Sequence, residues 1–128
     1  MFLDKEQILD LHAAIILQSG GASGIHDNGA LDSCLLQPFQ GFGDTDFYPG
    51  PIDKCIAFGY FLVANHPFVD GNKRIGHAVM AVNLEYHGFE IDASIDEQEQ
   101  LILDLASGAL DKATFVNWVK RRLRPLTR

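Results

Sequence analysis

The chain has 128 residues, the length of one domain with a single hydrophobic core. Its 47% hydrophobic and 21% charged residues are typical of a folded globular protein and exclude a disordered chain. A net charge of −7 argues against direct nucleic-acid binding, and the longest apolar runs are too short to span a bilayer.

The first third of the chain predicts two helices separated by a glycine-rich loop. The acidic N-terminus, MFLDKEQILD, lacks the basic start of a secretory signal, so we expect a cytoplasmic protein. A first helix begins at Asp4 and stops at residues 19–21, with these residues facing inward: Ile8, Leu11, Ile15 and Ile16. Residues 20–29 form a loop containing a turn at 27–29. A second helix covers residues 30–37, and its inward face is formed by Leu31, Leu35 and Leu36. An irregular loop follows.

Two longer helices follow, and the second of them is predicted to be central. The third helix begins at Pro51 and stops near Asn65, because Pro67 disfavours helical geometry at His66. The fourth covers residues 71–86, with one inward face made of Ile75, Val79, Val82 and Tyr86. Its other faces are also largely apolar, which indicates a helix surrounded by the others.

The C-terminal third predicts two more helices. A capping box at Ser94–Glu97 begins the fifth, which ends at residues 107–108. Asp111 caps the sixth, which carries Phe115, Trp118 and Val119 on one face. Only residues 89–91 and parts of 20–29 favour strand. We therefore predict an all-α domain over residues 1–128, with six helices around a central one and at most a minor β-hairpin.

The basic residues and the cysteines are unevenly placed. The segment 120–128 contains no acid and half of the basic residues: Lys120, Arg121, Arg122, Arg124 and Arg128. These cations either complement the dipole of the last helix or form a docking strip for an acidic partner. Cys34 and Cys55 lie in apolar helical patterns, which predicts buried, reduced thiols. His12 and His87 are predicted to be ordinary, partly buried histidines.

The segment HPFVDGNKR, residues 66–74, lies at the predicted start of the central helix. The first N–H groups of a helix lack internal partners, and the helix dipole places partial positive charge there. Gly71 lets a ligand approach the backbone closely, and Lys73 and Arg74 add two cations at the same end. Together these features predict an anion site, and phosphate is the usual anion at such a site.

Four further residues of this segment are candidates for chemistry or support. Asp70 is either a Mg²⁺ ligand beside bound phosphates or a cap of the helix. Asn72 either donates from its amide to a phosphate oxygen or fills a polar position in the first turn. His66 is positioned to take a proton from an incoming hydroxyl. Phe68 is expected to point into the core and to anchor the loop.

These residues resemble the signature of the Fic/Doc family, HPF-x-[DE]-GN-[GK]-R, and specifically its death-on-curing (Doc) branch. The stretch GGASGIHDNGALDSCLLQP (20–38) is similar to that branch's GG-x-x-G-x-x-D-x-G-x-L-x-x-x-L-x-x-P segment. The stretches LEYHGFEI (84–91) and LASGALDKATFVNWVKRRL also match in kind and position. The resemblance covers nearly the whole chain.

The resemblance implies a role for each signature residue. His66 activates a target hydroxyl, Asp70 holds Mg²⁺ on the nucleotide, and residues 71–74 form the anion hole for the phosphates. Doc-like members phosphorylate a protein hydroxyl with ATP, with elongation factor Tu as the known kind of target, and so arrest translation. Their partner is a small antitoxin protein that binds and silences them. The loop 20–29 is implied to lie near the site as a flap over the substrate.

Two positions decide between the branches of the family. Members that attach AMP usually carry glycine where this chain has Lys73 and a second arginine where it has His77. Both differences favour phosphate transfer over AMP transfer, because they change the contacts available to the phosphates. His77, on the helix face of Lys73 and Arg74, either assists the site or is a polar residue at a pocket edge. Ala78 stands where the prototype toxin of the family has a polar asparagine, so we expect one nucleotide contact to be absent. A non-catalytic binding module on the same fold is the remaining alternative.

Overall fold

The computed structural model describes residues 1–127, which form a helical domain with two small sheets. The six helices are α1 (Lys5–Ser19), α2 (Asn28–Leu36), α3 (Gly50–Asn65), α4 (Asn72–Tyr86), α5 (Ile95–Ser107) and α6 (Lys112–Arg121). A 3₁₀ turn, Gln37–Phe39, follows α2. The strands are β1 (Gly41–Phe42), β2 (Thr45–Asp46), β3 (Phe89–Ile91) and β4 (Leu123–Pro125). The predicted all-α fold with six helices is confirmed.

Side chains cap the helices where the sequence predicts it. Asp4 and Ser94 each form a capping box, in which the residue three positions later, Gln7 or Glu97, bonds back to the cap's own N–H. Asp111 accepts a hydrogen bond from the Thr114 N–H and begins α6. These bonds join only residues next to each helix start, so the starts of three helices do not depend on tertiary contacts.

The helices α3 and α4 are packed closely together at the centre of the domain. The crossing depends on Gly59 and Gly76, because a Cβ on Gly76 would lie 2.6 Å from Val63 Cγ2. One hydrophobic cluster joins this pair to α1 and α2, and the other joins it to α5 and α6. The predicted central position of α4 is therefore correct, and α3 shares it.

Several predicted details are wrong for local reasons. The helix α2 begins at Asn28 rather than at residue 30, because the Asp27 carboxylate accepts from the Ala30 N–H and acts as a cap. Leu36 and Tyr86, predicted to face inward, are 60% and 46% exposed at the ends of their helices. The loop predicted to be irregular contains the hairpin β1–β2.

The C-terminal tail continues as a strand rather than as the end of a helix. β4 pairs antiparallel with β3, which confirms the predicted strand at 89–91 and adds an unpredicted partner. Lys120 pairs with Asp53, and Arg124 bonds to Glu90 and Asp92. Acids therefore neutralise two cations of the tail, Lys120 and Arg124, which weakens the docking-strip hypothesis; Arg128 lies outside the described residues.

The thiol prediction is confirmed, because Cys34 and Cys55 are both buried and free. Burial raises the pKa of the Cys34 thiol and raises that of Cys55 to about 12. Within residues 1–127, every helix is too short or too polar to cross a membrane.

Candidate functional site

The candidate site is built on the connection between α3 and α4, residues 66–71. His66 ends α3 in the left-handed conformation, with φ 47° and ψ 56°, and it is exposed. Within residues 1–127 it is the one non-glycine residue with positive φ. This conformation costs about 1 kcal/mol for a residue with a Cβ. Such strain persists only where the surrounding structure holds the residue in that conformation.

The loop is closed by the side chain of Asn72, the first residue of α4. Asn72 Oδ1 accepts from the Phe68 N–H at 2.9 Å, and Asn72 Nδ2 donates to the Phe68 carbonyl at 3.0 Å. One hydrogen of the amide remains free for a ligand. Asn72 therefore holds the turn in shape and keeps a donor at the start of the helix.

A buried histidine on α1 contacts the loop 66–71. The His12 ring is stacked on the Phe68 ring, with centroids 3.8 Å apart and planes 12° apart. His12 Nε2 donates to the backbone carbonyl of Asp70 at 2.8 Å. Phe68 is 2% exposed, as predicted, but His12 is more deeply buried than predicted, with 4% exposed. Sequence reasoning missed this contact because it joins residues 58 positions apart.

The start of α4 presents backbone donors without protein partners. Gly71 precedes the helix with φ 78° and provides no side-chain cap. Over residues 1–127, the N–H groups of Asn72, Lys73 and Arg74 meet no protein acceptor, whereas the Ile75 N–H bonds to the Gly71 carbonyl. A Cβ on Gly71 would lie 3.1 Å from Ile16 Cδ1. The turn thus needs glycine, and it leaves the anion-binding end of the helix open.

The Asp70 carboxylate lies beside this helix end and is half exposed. Its Oδ1 accepts from the Gly71 N–H at 2.8 Å, and its Oδ2 accepts from the Ala22 N–H at 3.3 Å. The Gly71 bond, followed by the Ala22 bond and the Arg74 charge, lowers the pKa of Asp70. Asp70 therefore does not cap the helix in the usual way, since its bond goes to the residue before α4.

A divalent cation would find one protein carboxylate here. Residues 1–127 contain no cluster of three or more acidic, histidine or cysteine ligands. Mg²⁺ does not require such a cluster, because it is commonly held by one or two carboxylates, phosphate oxygens and water. The ionised, accessible Asp70 next to the open N–H groups at the start of α4 fits this donor set.

Arg74 links the site to the C-terminal end of α1. Its guanidinium donates to Ser19 Oγ and to the Gly20 carbonyl, and it lies 3.9 Å from Asp70 Oδ1. A cation at the C-terminal end of a helix is favoured by the helix dipole. Lys73 is exposed at the same end of α4. The two cations predicted from the sequence are therefore brought to the start of one helix.

The glycine-rich loop packs along the signature segment. The N–H groups of His26 and Asp27 both donate to the Pro67 carbonyl, and the Val69 N–H donates to the Gly24 carbonyl. Ile25 and Phe68 form an antiparallel bridge. The loop therefore lies beside the signature segment, as expected, and its role as a flap over the substrate stays a prediction.

Gly21 shows how closely the loop approaches the site. A Cβ at this position would lie 2.6 Å from Asp70 Oδ2 and 3.2 Å from Arg74 Nη2. Its φ of 112° also favours glycine. The loop contacts at Gly21 and Ala22 were not identified from the sequence, although the paired glycines at 20–21 were a signal for them.

A cleft of about 1000 Å³ extends from the start of α4 between α1, α4 and α5. Lys73, Arg74 and His77 line it near the start of α4, and its apolar wall includes Ile15 and Ile102. His77 Nε2 donates to Gln98 Oε1 at 2.8 Å. The structure thus places His77 in the same cleft as the two cations, and it faces α5.

Comparison with known proteins identifies the family. Residues 2–84, which include the loop and most of α4, match the sequence profile of the Fic/DOC family. This chain belongs to the Fic/Doc family. A similar protein is "Toxin Doc" of Mycolicibacterium smegmatis, which is 32% identical over 112 residues, covering 86% of this chain and 84% of that protein. Fic/Doc proteins are typically transferases that use a nucleotide substrate.

Proposed function

We propose that this Fic/Doc chain is a Doc-type toxin that transfers the γ-phosphate of Mg·ATP to a Ser or Thr hydroxyl of a protein. The observation that carries the proposal is the loop 66–71. Within a few residues it combines an imidazole, an ionised carboxylate and an open helix start flanked by Lys73 and Arg74. Phosphoryl transfer requires positioning and charge stabilisation more than covalent chemistry from the protein.

Each residue has a defined task in this reaction. The N–H groups at the start of α4, with Lys73 and Arg74, bind the phosphates and oppose the charge that develops during transfer. Asp70 contributes the protein ligand for Mg²⁺, which neutralises phosphate charge when it is bound. His66 accepts the hydroxyl proton as the Ser or Thr oxygen forms its bond to the γ-phosphorus. The bond between that phosphorus and the bridging oxygen breaks, and ADP leaves.

The choice of the γ-phosphate rests on Lys73 and His77. Lysine replaces the glycine of AMP-attaching relatives and adds a charged side chain against the phosphates. Histidine replaces their second arginine and removes a two-pronged phosphate contact. Both side chains line the cleft beside Arg74. AMP transfer is the alternative, in which the same residues would act on a reversed nucleotide.

The biological role follows from the toxin assignment. We propose that the chain acts in the cytoplasm on a component of translation, with elongation factor Tu as the family precedent. A small antitoxin protein is the proposed partner. The similarity to "Toxin Doc" over most of both chains supports this role.

The test is a labelling experiment with purified protein and a bacterial lysate as the source of acceptors. ATP labelled on the γ-phosphate should transfer label to a protein Ser or Thr, and ATP labelled on the α-phosphate should not. His66→Ala should abolish transfer, whereas His87→Ala, a half-buried histidine at the other end of α4, should retain it. Label arriving only from the α-phosphate would show AMP transfer instead. No transfer from either nucleotide would favour a binding module.

Growth provides a second test. Expression of the wild-type chain should arrest growth, and His66→Ala should restore it at equal protein levels. Equal growth of cells expressing the wild type and the variant would contradict the toxin assignment.

A further inference from the structure

His12 is buried and polar, and it contacts the loop of the site without facing the cleft. It is 4% exposed, yet its Nε2–H reaches the Asp70 carbonyl and its ring covers Phe68. Burying a polar side chain destabilises the folded protein unless that side chain makes a hydrogen bond. The only such bond described for His12 goes to the loop, which suggests that the loop is the reason for a histidine here.

The peptide unit between Asp70 and Gly71 is followed by a residue without a Cβ. Glycine adopts positive and negative φ with nearly equal ease, so the plane before Gly71 has two accessible orientations. In a trans peptide the carbonyl and the N–H point in opposite directions, and within residues 1–127 every peptide bond is trans. Rotation of this unit would therefore exchange the directions of the Asp70 carbonyl and the Gly71 N–H.

The His12 bond selects one of these orientations. With the Asp70 carbonyl directed inward to His12, the Gly71 N–H is directed outward and meets Asp70 Oδ1 at 2.8 Å. The carbonyl is also kept away from the open N–H groups at the start of α4, where its negative partial charge would oppose an anion.

We infer that His12 is a positioning residue, which fixes the 70–71 peptide and through it the Asp70 carboxylate and the anion-binding end of α4. The inference rests on the proposed function for the roles of Asp70 and the helix start. It adds a residue on α1, outside the signature segment, as support for a ligand of the cation. Partners of this kind typically change metal affinity or activity roughly 10- to 100-fold when they are removed.

The experiment compares His12→Leu, His12→Gln and His12→Asn by binding of Mn²⁺, used in place of Mg²⁺, with the β,γ-imido analogue of ATP. The change in the Mn²⁺ electron paramagnetic resonance spectrum when protein is added, compared with Mn²⁺ and analogue alone, reports binding without any turnover. Leucine fills space but donates nothing, so binding should weaken roughly 10- to 100-fold. Glutamine places an amide N–H near the position of Nε2 and should bind within about threefold of wild type. Asparagine is shorter and should behave like leucine.

The control separates positioning from general stability. His87→Leu removes another histidine, whose ring bonds to the Met1 carbonyl and packs on Phe2, and should leave Mn²⁺ binding unchanged. If His12→Leu binds Mn²⁺ as wild type does, or if His12→Gln is as weak as His12→Leu at equal stability, the inference is wrong. If His12→Leu does not fold, the contrast between glutamine and asparagine decides.

Failure of the proposed function gives a different pattern. If the wild-type protein binds no Mn²⁺ with the ATP analogue, the nucleotide role fails, while NMR of the free protein still tests His12. The Nε2–H signal should be protected from exchange in wild type, and His12→Leu, but not His12→Gln, should shift the Gly71 amide. An unshifted Gly71 amide in His12→Leu would show that His12 does not set the peptide.

Discussion

The Asn72 bridge gives a prediction whose size follows from the structure. Asn72→Ala removes the bonds of 2.9 and 3.0 Å to the two backbone groups of Phe68. Each is worth about 1 kcal/mol, so unfolding should become easier by about 2 kcal/mol. For a chain of this length, that corresponds to a fall in Tm of roughly 6–10 °C. Urea unfolding should show a lower midpoint with an unchanged slope.

Asn72→Asp separates stability from anion binding. Its carboxylate still accepts from the Phe68 N–H and is favoured by the dipole of α4. The free energy of unfolding should therefore fall by only about half as much as in Asn72→Ala. The same negative charge next to Asp70 should strongly weaken binding of the imido analogue of ATP. Calorimetry measures this binding directly.

Asn117→Ala is the matched control, because Asn117 is exposed on α6 and makes none of the described bonds. Its unfolding free energy should stay within about 0.5 kcal/mol of wild type. If Asn72→Ala is equally close to wild type, the two bonds do not hold the loop, and this reasoning is refuted.

Three further predictions concern strain, pH and thiol chemistry. His66→Gly should be more stable than His66→Ala by about 1 kcal/mol in urea unfolding, because glycine adopts positive φ without cost, and both should be inactive. Asp70 has a lowered pKa in the folded state, so its contribution to stability should be complete above about pH 4 and be lost as pH falls further. The difference in unfolding free energy between wild type and Asp70→Asn, measured from pH 7 to 2.5, should narrow only in that acid range. Cys34 and Cys55 should resist iodoacetamide at pH 8 in the native protein, because burial raises both pKa values, and both should react after unfolding in guanidinium.

Each of these predictions has a clear contrary result. Equal stability of the glycine and alanine variants would mean that His66 is not held in the left-handed region. If wild type instead becomes more stable relative to Asp70→Asn as pH falls through about 6, the pKa of Asp70 is raised rather than lowered. Rapid labelling of either thiol in the native protein would contradict its burial.

Local chemistry determined most of the fold. The features that define the helices involve residues only a few positions apart, so they can be predicted from the sequence. They are the helix periodicity, the capping boxes at Asp4 and Ser94, and the breaks near Asn65 and Gly88. The errors occur where distant segments meet. β4 became a strand because β3 offers it a partner, and α2 begins early because the Asp27 carboxylate caps it.

The residues of the candidate site could be proposed from the sequence alone, because they lie within one short segment at the start of a helix and their spacing fixes their order around the turn. What holds that turn in place depends on packing between distant segments. His12 and Ala22 reach Asp70 from segments far away in the chain. Such contacts depend on how α1 and the glycine-rich loop pack against α4, and long-range packing leaves little trace in local sequence patterns. Local sequence patterns therefore predict the candidate residues, whereas the orientation of the peptide at Gly71 could be known only from the structure.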